Sequence, residues 1–281
     1  MKETKTPKLS ATRRGRPRQD MGAAALNDDR PFVTSLARGL SILRAFHAED
    51  LILGTQAIAE RTGLHKTTVS RLLGTLTTLG YLRYLPEYGK YAVSNQVLTL
   101  GVAAIGRFGF AEMVRGHMEE IASGGDCVVA LSVRDINEMM FVELIRKPTA
   151  VALNLNVGSR IPLALSAPGR AYLAAADAAE RERLYPALEA LHGDEWDSVL
   201  SDLEAAIERF ETQGYADSFG DWNPRHNAIG IPVREPLTGD IYTISVGGNA
   251  ELLPPEKLRA QHLPKLLAAA QAMSSLGSNL R

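Results

Sequence analysis

TGLHKTTVSRLLGTLTTLGYLRY, residues 62–84, decides the fold. Val69, Leu72, Leu73, Leu76 and Leu79 recur at steps of three and four, the apolar stripe of an amphipathic helix. Lys66, Thr67, Ser70 and Arg71 fall on the opposite face. That face is either solvated or meets phosphates and base edges, and its neighbours decide which. Just upstream, TQAIAERTG (55–63) reads as a short helix with Thr55 at its start, Ile58 and Ala59 facing inward and Gly63 ending it. Helix, tight turn with glycine, helix is the helix-turn-helix spacing. Downstream, Tyr81 to Leu85 and Lys90 to Val93 read as two short strands around Pro86–Gly89, a hairpin wing.

Working outward, SLARGLSILRAF (35–46) predicts a preceding helix with Leu36, Leu40, Leu43 and Phe46 on one face. SNQVLTLGVAAIGRFG (94–109) is apolar almost all round, which predicts a linker helix buried either within the chain or against a second copy of it. Residues 110–277 read as one α+β domain. A helix over Ala111–Ser123 precedes the strand pair CVVALSV and MMFVELI (127–133 and 139–145). AVALNLNV (150–157) alternates as a third strand. Helices follow from Ser166, over Asp177–Leu191 and over Asp197–Gln213. NAIGIPV and IYTISVG (227–233 and 241–247) form a second hairpin, and a last helix starts at Pro254 or Pro255. Strands in pairs with helices between them predict a sheet with helices packed on it.

Charge supports a nucleic-acid partner for the front only. Residues 1–93 carry 15 Lys+Arg against 8 Asp+Glu, net +7, whereas the rest carries 16 against 24, net −8. A basic front on an acidic rear brings only the front to a polyanion. Residues 1–30 read as a disordered basic tail. Its RRGRPRQ (13–19) resembles the core of an AT-hook, an arm that lays arginines into an A·T minor groove, and is otherwise a generic basic segment. On the helix of residues 65–78, His65, Lys66 and Arg71 suit phosphates or guanine edges, and Thr67, Thr68 and Ser70 suit phosphates or either kind of base edge. Lys90 would flank the backbone from the wing.

The same composition excludes other classes. No run approaches the ~18 apolar residues of a membrane span, and the charged start resembles no secretory segment. Cys127, the sole cysteine, forms no intrachain disulfide and opens an apolar strand, where a thiol is inert. A cytoplasmic location is expected. Gly-x-Ser-x-Gly, His-Glu-x-x-His, Walker and Gly-x-Gly-x-x-Gly motifs are missing, so no catalytic residues and no cofactor are expected. The six histidines lack ligand spacing, so no metal is expected either. An enzyme or a ligand-binding scaffold using the C-terminal α+β domain is the alternative reading, and a scaffold using the front domain to bind protein is a third.

The stretches SLARGLSILRAF, IAERTGLHKTTVSRLLGTLTTLGYL, RAYLAA and NAIGIPV with GDIYTISVGG resemble the IclR family of bacterial transcription regulators over nearly all of residues 31–275. The resemblance implies a winged helix-turn-helix, a linker helix and a C-terminal α+β domain of GAF-like fold. It also implies a homodimer or homotetramer on a double-stranded DNA operator, with RNA polymerase a further partner for an activator. It places a small effector against Ile161, Ser166, Ala167, Pro168, Ser218, Ala228, Ser245 and Gly247. Many members carry a His two residues after the loop proline, a Lys before the helix, a Cys at the position of Ala228 and a Ser at that of Gly247. Here the first two are Ala164 and Arg170. Fewer polar groups suit a larger, partly apolar acid, an aromatic or acyl carboxylate, with Arg160, Arg170, Arg225 and His226 as its candidate partners.

Overall fold

The computed structural model describes residues 32–47, 49–105, 109–147, 155–235 and 238–275. The AT-hook-like segment and most of the alternating stretch 150–157 lie outside them.

The front domain is a winged helix-turn-helix. Helices α1 (Thr34–Arg44), α2 (Thr55–Thr62) and α3 (Lys66–Thr78) precede a hairpin of β1 (Leu82–Leu85) and β2 (Lys90–Val93). Gly63 closes α2 in the left-handed conformation (φ 67°), which lets the chain reverse into α3. Ile42, Ile58, Val69 and Leu73 are fully buried and knit the three helices together. Leu53 exchanges two backbone hydrogen bonds of 2.8 Å with Tyr91, tying the wing to the start of α2.

Three expected core positions turn outward. Leu79 lies beyond the end of α3, where the chain turns away, and is exposed. On α1 the buried residues are Ser41 and Ile42, and Leu36 and Leu40 face solvent. They join Phe32 and Val33, and Leu98 and Leu100 of α4 (Gln96–Ile105), as exposed apolar side chains. Burial of α4 within the chain therefore does not account for these two leucines.

The rear domain opens with α5 (Gly109–Ser123) and contains a six-stranded antiparallel sheet ordered β5-β4-β3-β8-β7-β6. Its strands are β3 (Val128–Asp135), β4 (Glu138–Arg146), β5 (Arg160–Pro162), β6 (Ala216–Phe219), β7 (His226–Arg234) and β8 (Ile241–Asn249). The central pair β3–β8 joins the two expected hairpins. Strands β5 and β6, of three and four residues, are too short to show an alternation. Leu155–Val157 lead into a turn rather than forming a strand.

Helices cover both faces. α5 and α10 (Leu263–Ser275) pack on Val129, Leu131, Ile229, Ile244 and Val246. α10 continues from a short α9 (Pro255–Lys257) through a π-turn at Leu258–His262. On the other face lie α6 (Ala167–Ala175), α7 (Ala178–His192) and α8 (Trp196–Gln213), with Met139, Phe141, Leu163, Leu173 and Leu203 between. Alternation along β8 sends Ile244 and Val246 to the first face and Thr243, Ser245 and Gly247 to the second.

A candidate DNA-reading helix and a small cavity

His65 caps α3. Its backbone is extended and its Nδ1 accepts the Thr67 N–H at 3.4 Å, so this ring serves the helix first. The next turns present Lys66, Thr67, Ser70 and Arg71 to solvent, with Thr68 half-buried behind them. The apolar stripe is spent inside, on Val69, Leu73 and Leu76. Lys90 is exposed at the start of β2, with Arg83 and Tyr88 also exposed on the wing. All seven expected DNA-contacting residues therefore belong to α3, its cap and the wing.

The eight expected effector residues line one cavity between the sheet and the N-terminus of α6. Register explains the convergence. Ala228 of β7 pairs with Ser218 of β6 and Gly247 of β8, and Ser245 pairs with Ala130 of β3. These four neighbouring strands thus present small side chains to the same side. Ile161 enters from β5 through its pairing with Met139. Ser166 caps α6, accepting the Gly169 N–H at 3.2 Å while donating to the Pro162 carbonyl at 2.6 Å. Gly169 lets the helix approach so closely: a Cβ there would lie 1.9 Å from the Leu163 oxygen.

Val128, Ala130, Phe141, Leu155, Trp222 and His226 complete the wall. The Trp222 ring stands edge-on to His226 with centroids 5.4 Å apart. The enclosed space is about 30 Å³. That is one water's share of the liquid, whereas a cavity of about 150 Å³ holds a benzene.

The candidate arginines do not enter the cavity. Arg170 lies within α6, is buried, and donates to Asp221 at 2.7 Å, to the Asp217 carbonyl at 2.9 Å and to the Ala164 carbonyl at 3.3 Å. It latches the β6–β7 loop that carries Trp222. Arg160 donates to Asp135 at 2.8 Å, and Arg225 is exposed. Burial pushes the Cys127 thiol up to about 11, as an inert thiol requires. Among the described residues, no helix is long and apolar enough to cross a membrane.

Comparison with known proteins agrees with both halves. The IclR helix-turn-helix domain family matches residues 35–86, and the bacterial transcriptional regulator IclR C-terminal family matches residues 102–275. The chain is 32% identical to the HTH-type transcriptional regulator TsaQ1/TsaQ2 of Comamonas testosteroni, over 85% of this chain and 86% of that one. An IclR family transcriptional regulator from Brucella abortus superposes with a TM-score of 0.79 at 34% identity, over 91% of this chain and 96% of that one. An IclR homolog from Microbacterium hydrocarbonoxydans, solved in complex with 4-hydroxybenzoate, shares the fold with a TM-score of 0.67 at 20% identity, over 87% and 99% of the chains. The chain belongs to the IclR family of bacterial transcriptional regulators.

Proposed function

We propose that the protein binds an operator through α3 and the wing, and that a small aromatic carboxylate in the α6 cavity sets its operator affinity. The observation that carries this reading is the convergence of small, mostly uncharged residues from five strands and a helix cap on one cavity walled by Phe141 and Trp222. Such a site suits a flat, partly apolar ligand oriented by a few hydroxyls. The 4-hydroxybenzoate held by the Microbacterium relative supports the class.

Because the cavity as it stands is too small for an aromatic ring, ring entry requires its walls to move apart. A ligand shifts DNA affinity only by its differential affinity for two arrangements of the chain. The exposed leucines of α1 and α4 suit a homodimer that places two copies of α3 in successive major grooves, one helical turn or a multiple apart.

The test is fluorescence anisotropy of labelled DNA from upstream of the protein's own gene, at two salt concentrations, with and without benzoate and 4-hydroxybenzoate. Tight binding that weakens with salt and changes with one acid is expected. Binding indifferent to every acid removes the ligand assignment, and binding no tighter than to random DNA removes the operator.

A further inference from the structure

Among the described residues that line the cavity, one side chain is ionisable, His226. Every other lining residue is uncharged, and residues 148–154, which lead to Leu155 at its wall, carry no ionisable group in the sequence. The nearby cations are committed elsewhere, Arg170 to Asp221 and Arg160 to Asp135. Two of the hydroxyls are committed as well. Ser166 donates to the Pro162 carbonyl and Ser218 to the Leu165 carbonyl, so neither has a proton for an anion. A carboxylate entering here meets Ser245 and the imidazole. An anion taken out of water without a counter-charge is strongly disfavoured.

His226 is placed to supply that charge. Its ring lies against Gly247: a Cβ at 247 would lie 2.9 Å from its Cε1, and 2.8 Å from both the Ala228 Cβ and the Asn227 carbonyl oxygen, so a side chain there would crowd the imidazole and the strand beside it. The groups around it are uncharged or engaged. Strand β8 offers Gly247, Gly248 and its register partner Asn249, and α6 offers Arg170, tied to Asp221. Within its own loop Arg225 is exposed, and Asp126 meets β8 at Gly248 through its carbonyl. Burial alone holds the imidazole down at about 4, so it is neutral at neutral pH unless an anion comes to it.

We propose that the cavity takes up its aromatic carboxylate together with one proton, which resides on His226 and gives the bound anion its counter-charge. This rests on the aromatic-carboxylate reading above. Gly247 and His226 then act as one specificity device: the missing side chain makes room for the ring, and the ring supplies a charge that exists only when the site is filled. Affinity follows by linkage. When the complex binds one proton more than the free partners, the dissociation constant rises up to tenfold per pH unit, up to the pKa of the bound imidazole.

The test is isothermal titration calorimetry of the full-length protein with benzoate and 4-hydroxybenzoate, in two buffers of widely different ionisation enthalpy. Uptake of about one proton per bound acid at pH 7 is expected, with a dissociation constant roughly tenfold weaker at pH 7.5 than at pH 6.5. The His226→Gln variant, checked for retained DNA binding, is expected to bind at least about tenfold more weakly at pH 6.5, with neither uptake nor pH dependence. Binding to the natural protein without proton uptake overturns the proposal and leaves the ligand class standing, as does uptake that persists in His226→Gln. Binding of neither acid overturns the ligand class and the proposal with it.

Discussion

Arg44, the last residue of α1, forms an ion pair with Asp135 at the β3–β4 corner of the rear domain. Asp135 also accepts from Arg160 at 2.8 Å, the residue next to the cavity-lining Ile161. One carboxylate thus joins the DNA-binding half to the edge of the cavity, with Arg134 and Arg160 crowding the Arg44 guanidinium.

Replacing Asp135 by Ala leaves two arginines facing each other across that junction. Losing charged hydrogen bonds at a mostly buried acceptor is expected to lower stability by about 1–3 kcal/mol. It is also expected to shrink the ligand-induced change in operator affinity. Thermal unfolding and paired anisotropy titrations measure the two effects. An unchanged ligand response assigns Asp135 to folding alone.

Arg71→Ala is expected to weaken operator binding and to lower the salt slope by about one, the signature of a lost phosphate contact. Lys90→Ala on the wing is expected to do the same. If the slope holds while affinity falls only on the specific site, the side chain reads a base edge instead.

Gly169 tolerates no side chain. A Cβ 1.9 Å from the Leu163 carbonyl oxygen meets backbone, which cannot swing aside. Gly169→Ala is expected to lift α6 off the β5 loop and to lower stability by roughly 3 kcal/mol or more, within the tail of overpacking and strain effects. A denaturant midpoint close to that of the natural protein would show that α6 shifts without cost.

Acid should destabilise the protein through its histidines. Burial holds His226 at about 4, and also lowers His192 and His262 below the usual value of 6.5. Both ring nitrogens of His262 are buried without hydrogen-bond partners. Depressed pKa values mean that the unfolded chain binds protons first. The stability these neutral rings contribute is complete above pH 6.5 and falls as pH drops through each folded value, for His226 between about 6.5 and 4. The part due to His226 is about 3 kcal/mol at most. Urea unfolding at pH 7.5 and pH 5 checks this, and His262→Leu should narrow the difference between the two.

Ser245→Phe puts a ring into a cavity of about 30 Å³, so it should push the cavity walls apart at a cost in stability of about 1–3 kcal/mol and block carboxylate binding; thermal unfolding and operator binding without ligand check that the variant still folds. Quenching of Trp222 fluorescence by added acid, with Trp222→Phe as control, reports occupancy directly. A retained response in Ser245→Phe moves the ligand elsewhere.

How far the sequence carries varies with the length of the pattern. The α2–α3 turn was legible because Gly63 and the aliphatic stripe are local signals, and the strands carrying Ala228 and Ser245 were legible because nine-residue strands repeat the alternation. Strand β5 has only three residues, too few for any period. The outward turn of Leu36 and Leu40 was hidden because apolar spacing does not say whether its partner lies within the chain. Arg170 read as a ligand contact because a lone arginine beside a pocket loop looks free; only the fold brings Asp221, 51 residues on, against it. The overlap of His226 with Gly247 depends on how one ring tilts across two strands.

The measurement that tests the central claim most directly is operator affinity at fixed salt as a function of benzoate and 4-hydroxybenzoate concentration, for the natural protein beside Ser245→Phe. The account predicts a saturable change in affinity for the natural protein and none for the folded variant. A saturable change of the same size in both proteins would contradict it.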